Sequence, residues 1–167
     1  VQILRDIGAC QAPFNSWTTI QGIETLSLRM ERHSANAQAV AEHLEKHPSV
    51  KWVTYPGLAS HPQHALAMAQ QSGAGGAVLS FVLKAADPEQ ARARAFHVMD
   101  SMQTLSLSTN LGDVKTLVAH PASTSHGRLS EAQRQSAGIG QGLVRVAVGL
   151  EHMTDIQADL ARGLDSL

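Results

Sequence analysis

The sequence predicts an α+β fold: a mainly antiparallel sheet with helices on one face, preceded by a long helix. Three observations carry this expectation. A helical period runs over residues 15–47, short strand-like segments follow it, and four helix-start signatures fall among those segments. The connections are too short for every crossover to be parallel, and some parallel pairing within the sheet is compatible with them.

The first segment, to about Pro13, shows no clear period. From 15 to 47, Ile20, Ile23, Leu26, Met30, Ala37, Val40 and Leu44 recur at steps of three, four or seven, with Glu24, Glu31, Arg32 and Glu42 between them. Glu42 and Lys46 stand one turn apart in the favourable order, and Pro48 ends the element. A helix this long is expected to bridge two bodies.

Strands are expected at 50–54, 76–83, 103–108, 116–120 and 143–148. The run 77–83 is apolar on both faces, as a central strand is. Between them, Ser60/Gln63, Asp87/Gln90, Ser130/Gln133 and Thr154/Gln157 have the form of capping boxes, with Pro88 at a first helical position. Gly73 and Gly138 stand where helix ends call for a left-handed residue. Ile156, Leu160 and Leu164 form one stripe of the last helix.

Composition narrows the function. With 43% hydrophobic and 16% charged residues in 167, the chain has a globular composition and the length of about one domain. Thirteen basic against fourteen acidic side chains leave a net charge of −1, which gives no footprint for nucleic acid or an anionic membrane. The one cysteine, Cys10, excludes an internal disulfide and any multi-cysteine metal site. No apolar run reaches the roughly 20 residues of a membrane span. The opening at Val1, without Met or a signal pattern, suggests a piece of something longer.

Arg145 is the most informative single residue. In 143–148 the strand period sets Val144, Val146 and Val148 on one face and Leu143, Arg145 and Ala147 on the other. The valines are expected to meet the helices, so the guanidinium emerges from the opposite face. Its planar fork suits a carboxylate or phosphate; a solvated arginine on the wet side of the sheet is the ordinary alternative. The loop 108–113 is rich in short polar residues and could present anion-binding donors, or simply turn on Asn110 and Gly112. The glycine run 73–76 feeds a strand rather than a helix, which argues against a phosphate cradle. Among nine histidines, the pairs His43/His47 and His61/His64 lack a third ligand. His126 with Ser123 or Ser125 has no nucleophile-elbow context.

Taken in order, several motifs resemble one family. These are Gln21–His33 with Asn36-Ala37, then Tyr55-Pro-Gly-Leu58 and Asn110-Leu-Gly-Asp113. His120-Pro-Ala-Ser123 with His126 and the block from Gly142 to Glu151 follow. Together they resemble the C-terminal part of the pyridoxal-phosphate-dependent enzymes of Cys/Met metabolism, nearest to O-acetylhomoserine or O-succinylhomoserine sulfhydrylases, with methionine gamma-lyase and cystathionine gamma-synthase further off. The resemblance implies the C-terminal small domain of the aspartate-aminotransferase-like fold. Residues 1–47 would be the tail of the cofactor domain and the linking helix, and 48–167 the substrate-side domain. It implies a γ-replacement on O-acyl-homoserine by a sulfide or thiol donor, giving homocysteine. Arg145 would hold the substrate α-carboxylate, Asn110 would lie beside it, and Thr109 would line the pocket.

By the same resemblance, the Schiff-base lysine and the rest of the pyridoxal 5′-phosphate site belong to an N-terminal domain with no counterpart here. Lys46, Lys51, Lys84 and Lys115 match no such motif. The chain alone is therefore expected to bind no cofactor and not to catalyse. The parent enzyme is expected to be a cytoplasmic homo-oligomer, a homotetramer by the habit of the family. A gamma-lyase of the same family, a stand-alone carboxylate-binding regulatory module and a homodimerisation module stay open as alternatives.

Overall fold

The structure, a computed structural model, describes residues 2–167, the side chain of residue 4 excepted. Val1 lies outside the described residues. The elements are α1 (Gln2–Ile7), α2 (Pro13–Glu24), α3 (Leu26–Glu45), β1 (Val50–Thr54), α4 (His64–Gln70), β2 (Val78–Leu83), α5 (Pro88–Asp100), β3 (Ser106–Leu107), β4 (Leu117–Ala119), α6 (Glu131–Ser136), β5 (Leu143–Ala147) and α7 (Met153–Leu164). The strands form one sheet in the order β1-β2-β5-β4-β3, antiparallel except for the β3–β4 pair. This is the expected α+β architecture.

Register explains the two faces. Leu79 pairs with Val146 and Phe81 with Val144, and these four side chains are buried with Ala37, Val40, Leu44, Val98, Ile156 and Leu160 of the helices. Sequence alternation along β2 and β5 thus becomes the helix-covered face, which holds the core. On the opposite face Ser80 pairs with Arg145, and Arg145 with Ala119.

The long helix is two helices. The chain breaks at Thr25 (φ −101°, ψ 4°), and the freed carbonyl of Gly22 accepts a hydrogen bond from Arg29 Nη2. Gly22 and the β-branched Ile23 and Thr25 weaken the helix there, and α2 has no buried residue to reinforce it. The continuous stripe splits accordingly. Ala37, Val40 and Leu44 enter the core, while Ile20, Ile23, Leu26 and Met30 stay exposed. The segment without a clear period contains α1, whose Ile3 and Ile7, one turn apart, are both exposed.

One of the four caps forms as the expected box and a second forms in part. Ser130 with Gln133 makes a reciprocal capping box. Asp87 accepts from Gln90 N–H, but the Gln90 side chain accepts from Ala86 N–H instead of Asp87 N–H. The other two do not form. Ser60 instead donates to Glu45 Oε1 at 2.5 Å, and the chain turns through successive bonds from His61 to the Leu58 carbonyl and from His64 to the His61 carbonyl before α4 begins. At α7 the imidazole of His152 takes the cap two residues early, accepting from Thr154 N–H. Gly138 (φ +73°) closes α6, with Ile139 N–H bonded to the Arg134 carbonyl at 2.8 Å. After α4 the first left-handed position is Ser72 (φ 54°), with Gly73 (φ +81°) following.

Candidate functional site

Arg145 projects from the face of β5 that the helices leave uncovered. Small cross-strand neighbours, Ser80 and Ala119, give the guanidinium room to rise off the sheet. The β3–β4 pair is parallel, so the segment joining these strands must return to the end where β3 began. On the way it meets Arg145: Nη2 donates to the Thr109 carbonyl at 2.5 Å and to the Asn110 carbonyl at 3.3 Å. Nε–H is buried without a partner. Arg145 makes no ion pair with a carboxylate among the described residues.

The structure therefore brings Arg145 together with Thr109 and Asn110, through the backbone of the loop. Where the composition of 108–113 suggested donors for an anion, the loop presents two acceptors to the arginine. Its turn uses Asn110 N–H to the Ser108 hydroxyl, Lys115 N–H to Asp113, and Gly112 at φ +90°.

Four buried polar groups that the sequence reading left without a role set the frame. Asp159 accepts from the N–H groups of Gln103, Thr104 and Leu105 at 2.9–3.1 Å, which orients the approach to β3. Burial raises the affinity of its carboxyl for a proton. The three N–H donors and Arg162 outweigh burial and hold it below the ordinary aspartate range. Thr116, at the far root of the loop, donates N–H and Oγ1–H to Glu151 at 2.6 and 2.8 Å and accepts from Gly149 N–H at 2.8 Å. Asn36 donates to the carbonyls of Gly149 and Glu151, and His33 to that of Val148. The available signal was their place on α3: His33 and Asn36 lie at helical spacing from Ala37, Val40 and Leu44 and so face the core.

The remaining candidates resolve into structure. His120 Nε2–H donates to the Gln141 carbonyl, which leaves Nδ1 to accept from the Ser123 hydroxyl, both at 2.8 Å. Burial holds this imidazole below its usual pKa. The N–H groups of Ser123, Thr124 and His126 are bonded to the His120 and Pro121 carbonyls, so this serine has no oxyanion donors there. His126 pairs with Ser125 instead.

The glycine run serves Tyr55. A Cβ on Gly75 would lie 2.6 Å from the tyrosine ring, and the Tyr55 hydroxyl donates to the Gly76 carbonyl at 2.9 Å, with burial raising its pKa to about 12. A cleft of about 450 Å³ opens beside it, lined by Glu31, Ser34, Gln38, Tyr55 and Met68; Arg145 is not among its lining residues. No group of three or more His, Cys, Asp or Glu could hold a metal among the described residues, and no described helix is long and apolar enough to cross a membrane.

Residues 1–165 match the Cys/Met metabolism PLP-dependent enzyme family, and the chain belongs to it. It is 53% identical over 167 residues to the O-succinylhomoserine sulfhydrylase of Pseudomonas aeruginosa, covering 100% of this chain and 40% of that protein. Against the O-acetyl-L-homoserine sulfhydrylase of Leptospira meyeri the identity is 45% over 168 residues, covering 100% of this chain and 37% of the relative. A crystal structure of cystathionine gamma synthase from Xanthomonas oryzae pv. oryzae, in complex with cystathionine, superposes with a TM-score of 0.84. That pair is 39% identical, over 96% of this chain and 40% of the other. The chain thus spans about two-fifths of the length of these relatives.

The family depends on pyridoxal phosphate. A Schiff-base lysine needs a partly desolvated site that lowers its pKa. Lys46 caps α3, Lys51 lies over the Trp52 ring at 4.9 Å, Lys84 follows β2, Lys115 precedes β4, and all four are exposed. These residues do not fit the anchoring amine of that cofactor.

Proposed function

We propose that this chain is the substrate-side part of an enzyme that replaces the γ-acyloxy group of an O-acyl-homoserine with a sulfide or thiol, giving homocysteine. Arg145 holds the substrate α-carboxylate, with Asn110 and Thr109 beside it. One observation carries the reading: a guanidinium on the uncovered sheet face, with backbone carbonyls but, among the described residues, no carboxylate for partners. A guanidinium fork grips a carboxylate at two points and so fixes the direction of the substrate's Cα bonds. The identity with two O-acyl-homoserine sulfhydrylases supports the substrate class.

In this reading residues 1–47 are the tail of a cofactor domain and a linking helix, and 48–167 the substrate-side domain. Pyridoxal phosphate belongs to a part of the enzyme outside this chain, whose surface covers the exposed Phe14, Trp17, Ile20 and Ile23. The assembled enzyme works in the cytoplasm as a homo-oligomer, a tetramer.

The test is calorimetric titration of O-succinyl-L-homoserine into the chain and into Arg145→Ala. Loss of a two-point charged contact is expected to weaken binding by about 2–5 kcal/mol. Equal affinity of the two proteins removes the clamp.

A further inference from the structure

The loop between β3 and β4 occupies the nitrogen that a carboxylate would need. A guanidinium takes a carboxylate at two points either end-on, through Nη1 and Nη2, or side-on, through Nε and Nη2. Both grips use Nη2. In this structure Nη2 already donates to the carbonyls of Thr109 and Asn110, at 2.5 and 3.3 Å, and Nε–H is buried with no acceptor. The described arrangement therefore spends the useful nitrogen on the loop and leaves a second donor unsatisfied, which is unfavourable for a buried group.

We propose that residues 109–115 are a ligand-displaced latch on Arg145. This deepens the proposed function and rests on Arg145 being a carboxylate clamp. Without ligand, the loop carbonyls hold the guanidinium in place. An incoming carboxylate bound side-on takes Nη2 from the carbonyls and gives the orphaned Nε–H its acceptor. The two carbonyls give up the arginine while Thr109 and Asn110 stay beside the bound carboxylate, so the state of these carbonyls reports occupancy.

The loop is built for such a move. Its roots are fixed, by Ser108 N–H on the Val118 carbonyl at 3.0 Å and by Thr116 on Glu151. Between them residues 109–115 are all exposed. Gly112, at φ +90°, has nothing within 4 Å of the position its Cβ would take, so the backbone can pivot there without collision. The exchange replaces two neutral acceptors by one charged acceptor, a change in the favourable direction for a guanidinium. Competition by the loop lowers the apparent affinity by the fraction of molecules that are latched.

The experiment is NMR on the 167-residue chain, labelled to show the Arg145 Nε–H and the ¹³C carbonyl signals of Thr109 and Asn110. Arg145→Lys assigns the arginine signal and the same spectra check its fold. L-homoserine is the ligand, and 3-aminopropan-1-ol, which lacks only the carboxylate, is the control. The expected result is a downfield move of the Nε–H together with an upfield move of both carbonyl carbons, with one midpoint, and no change with the control. An Nε–H that moves while the carbonyls stay still overturns the latch and leaves the clamp standing. If no Arg145 signal responds, or Arg145→Lys binds homoserine as well as the parent does, both fall.

Discussion

His33 donates its Nδ1–H to the carbonyl of Val148 at 2.6 Å, joining positions 115 residues apart in the chain. Three residues on along the helix, Asn36 takes the carbonyls of Gly149 and Glu151. The two side chains pin α3 to the end of β5, and Glu151 passes the restraint to Thr116 at the root of the Arg145 loop. Helix, strand and loop are therefore one polar frame laid through an apolar core. His33→Ala and Asn36→Ala each leave buried carbonyls unpaired, and a loss of about 1–3 kcal/mol of stability is expected for each. Urea unfolding checks it, and an unchanged midpoint in both would mean these bonds add nothing.

Asp159 bears a heavier load, because three loop N–H groups converge on one carboxylate that is 2% exposed. Asp159→Ala is expected to lose about 2–4 kcal/mol by stranding those donors, and Asp159→Asn less, since one oxygen can still accept. A larger loss for Asn than for Ala would contradict this account.

Acid should destabilise the chain through two of its histidines. Burial, with His47 nearby, holds the His43 pKa below its usual 6.5, and burial does the same at His120. Between the folded and unfolded values the unfolded chain binds more protons, so stability is full above pH 6.5 and declines as pH falls below it. A lower Tm at about pH 5.5 than at about pH 7.5 is expected, with a flatter dependence in His43→Gln and in His120→Gln. A Tm that holds or rises on acidification would refute it. The Asp159 carboxyl adds a second decline only at lower pH, as its depressed pKa is crossed.

The exposed apolar side of α2 should make the isolated chain self-associate. Phe14, Trp17 and Ile20 are 70%, 56% and 53% exposed, and burying such side chains is worth about 1.5–3 kcal/mol each. Sedimentation velocity is expected to show concentration-dependent oligomers that Trp17→Glu with Ile20→Glu dissolves. A monomer at all concentrations would count against a covered surface here.

Local chemistry was legible wherever neighbours in sequence decide it. The strands at 50–54 and 143–147, the caps at Asp87 and Ser130 and the turn at Gly138 rest on side-chain alternation and on bonds spanning three to five residues. The face of β5 that carries Arg145 follows from the same period of two. The break at Thr25 and the lost caps at Ser60 and Thr154 were not legible in that way. Helical spacing continues through Thr25, yet α2 buries none of its described residues to sustain it, and Ser60 and His152 found other partners.

The sequence alone determined the class of fold and the side of the sheet from which the arginine leaves, because periodicity is a property of the chain itself. Only the tertiary structure decided that Thr109 and Asn110 turn their carbonyls onto Arg145, and that His33, Asn36 and Asp159 hold the frame around it. Those contacts join residues 35 to 115 positions apart. Once the chain is compact, the need of each buried donor for an acceptor selects them.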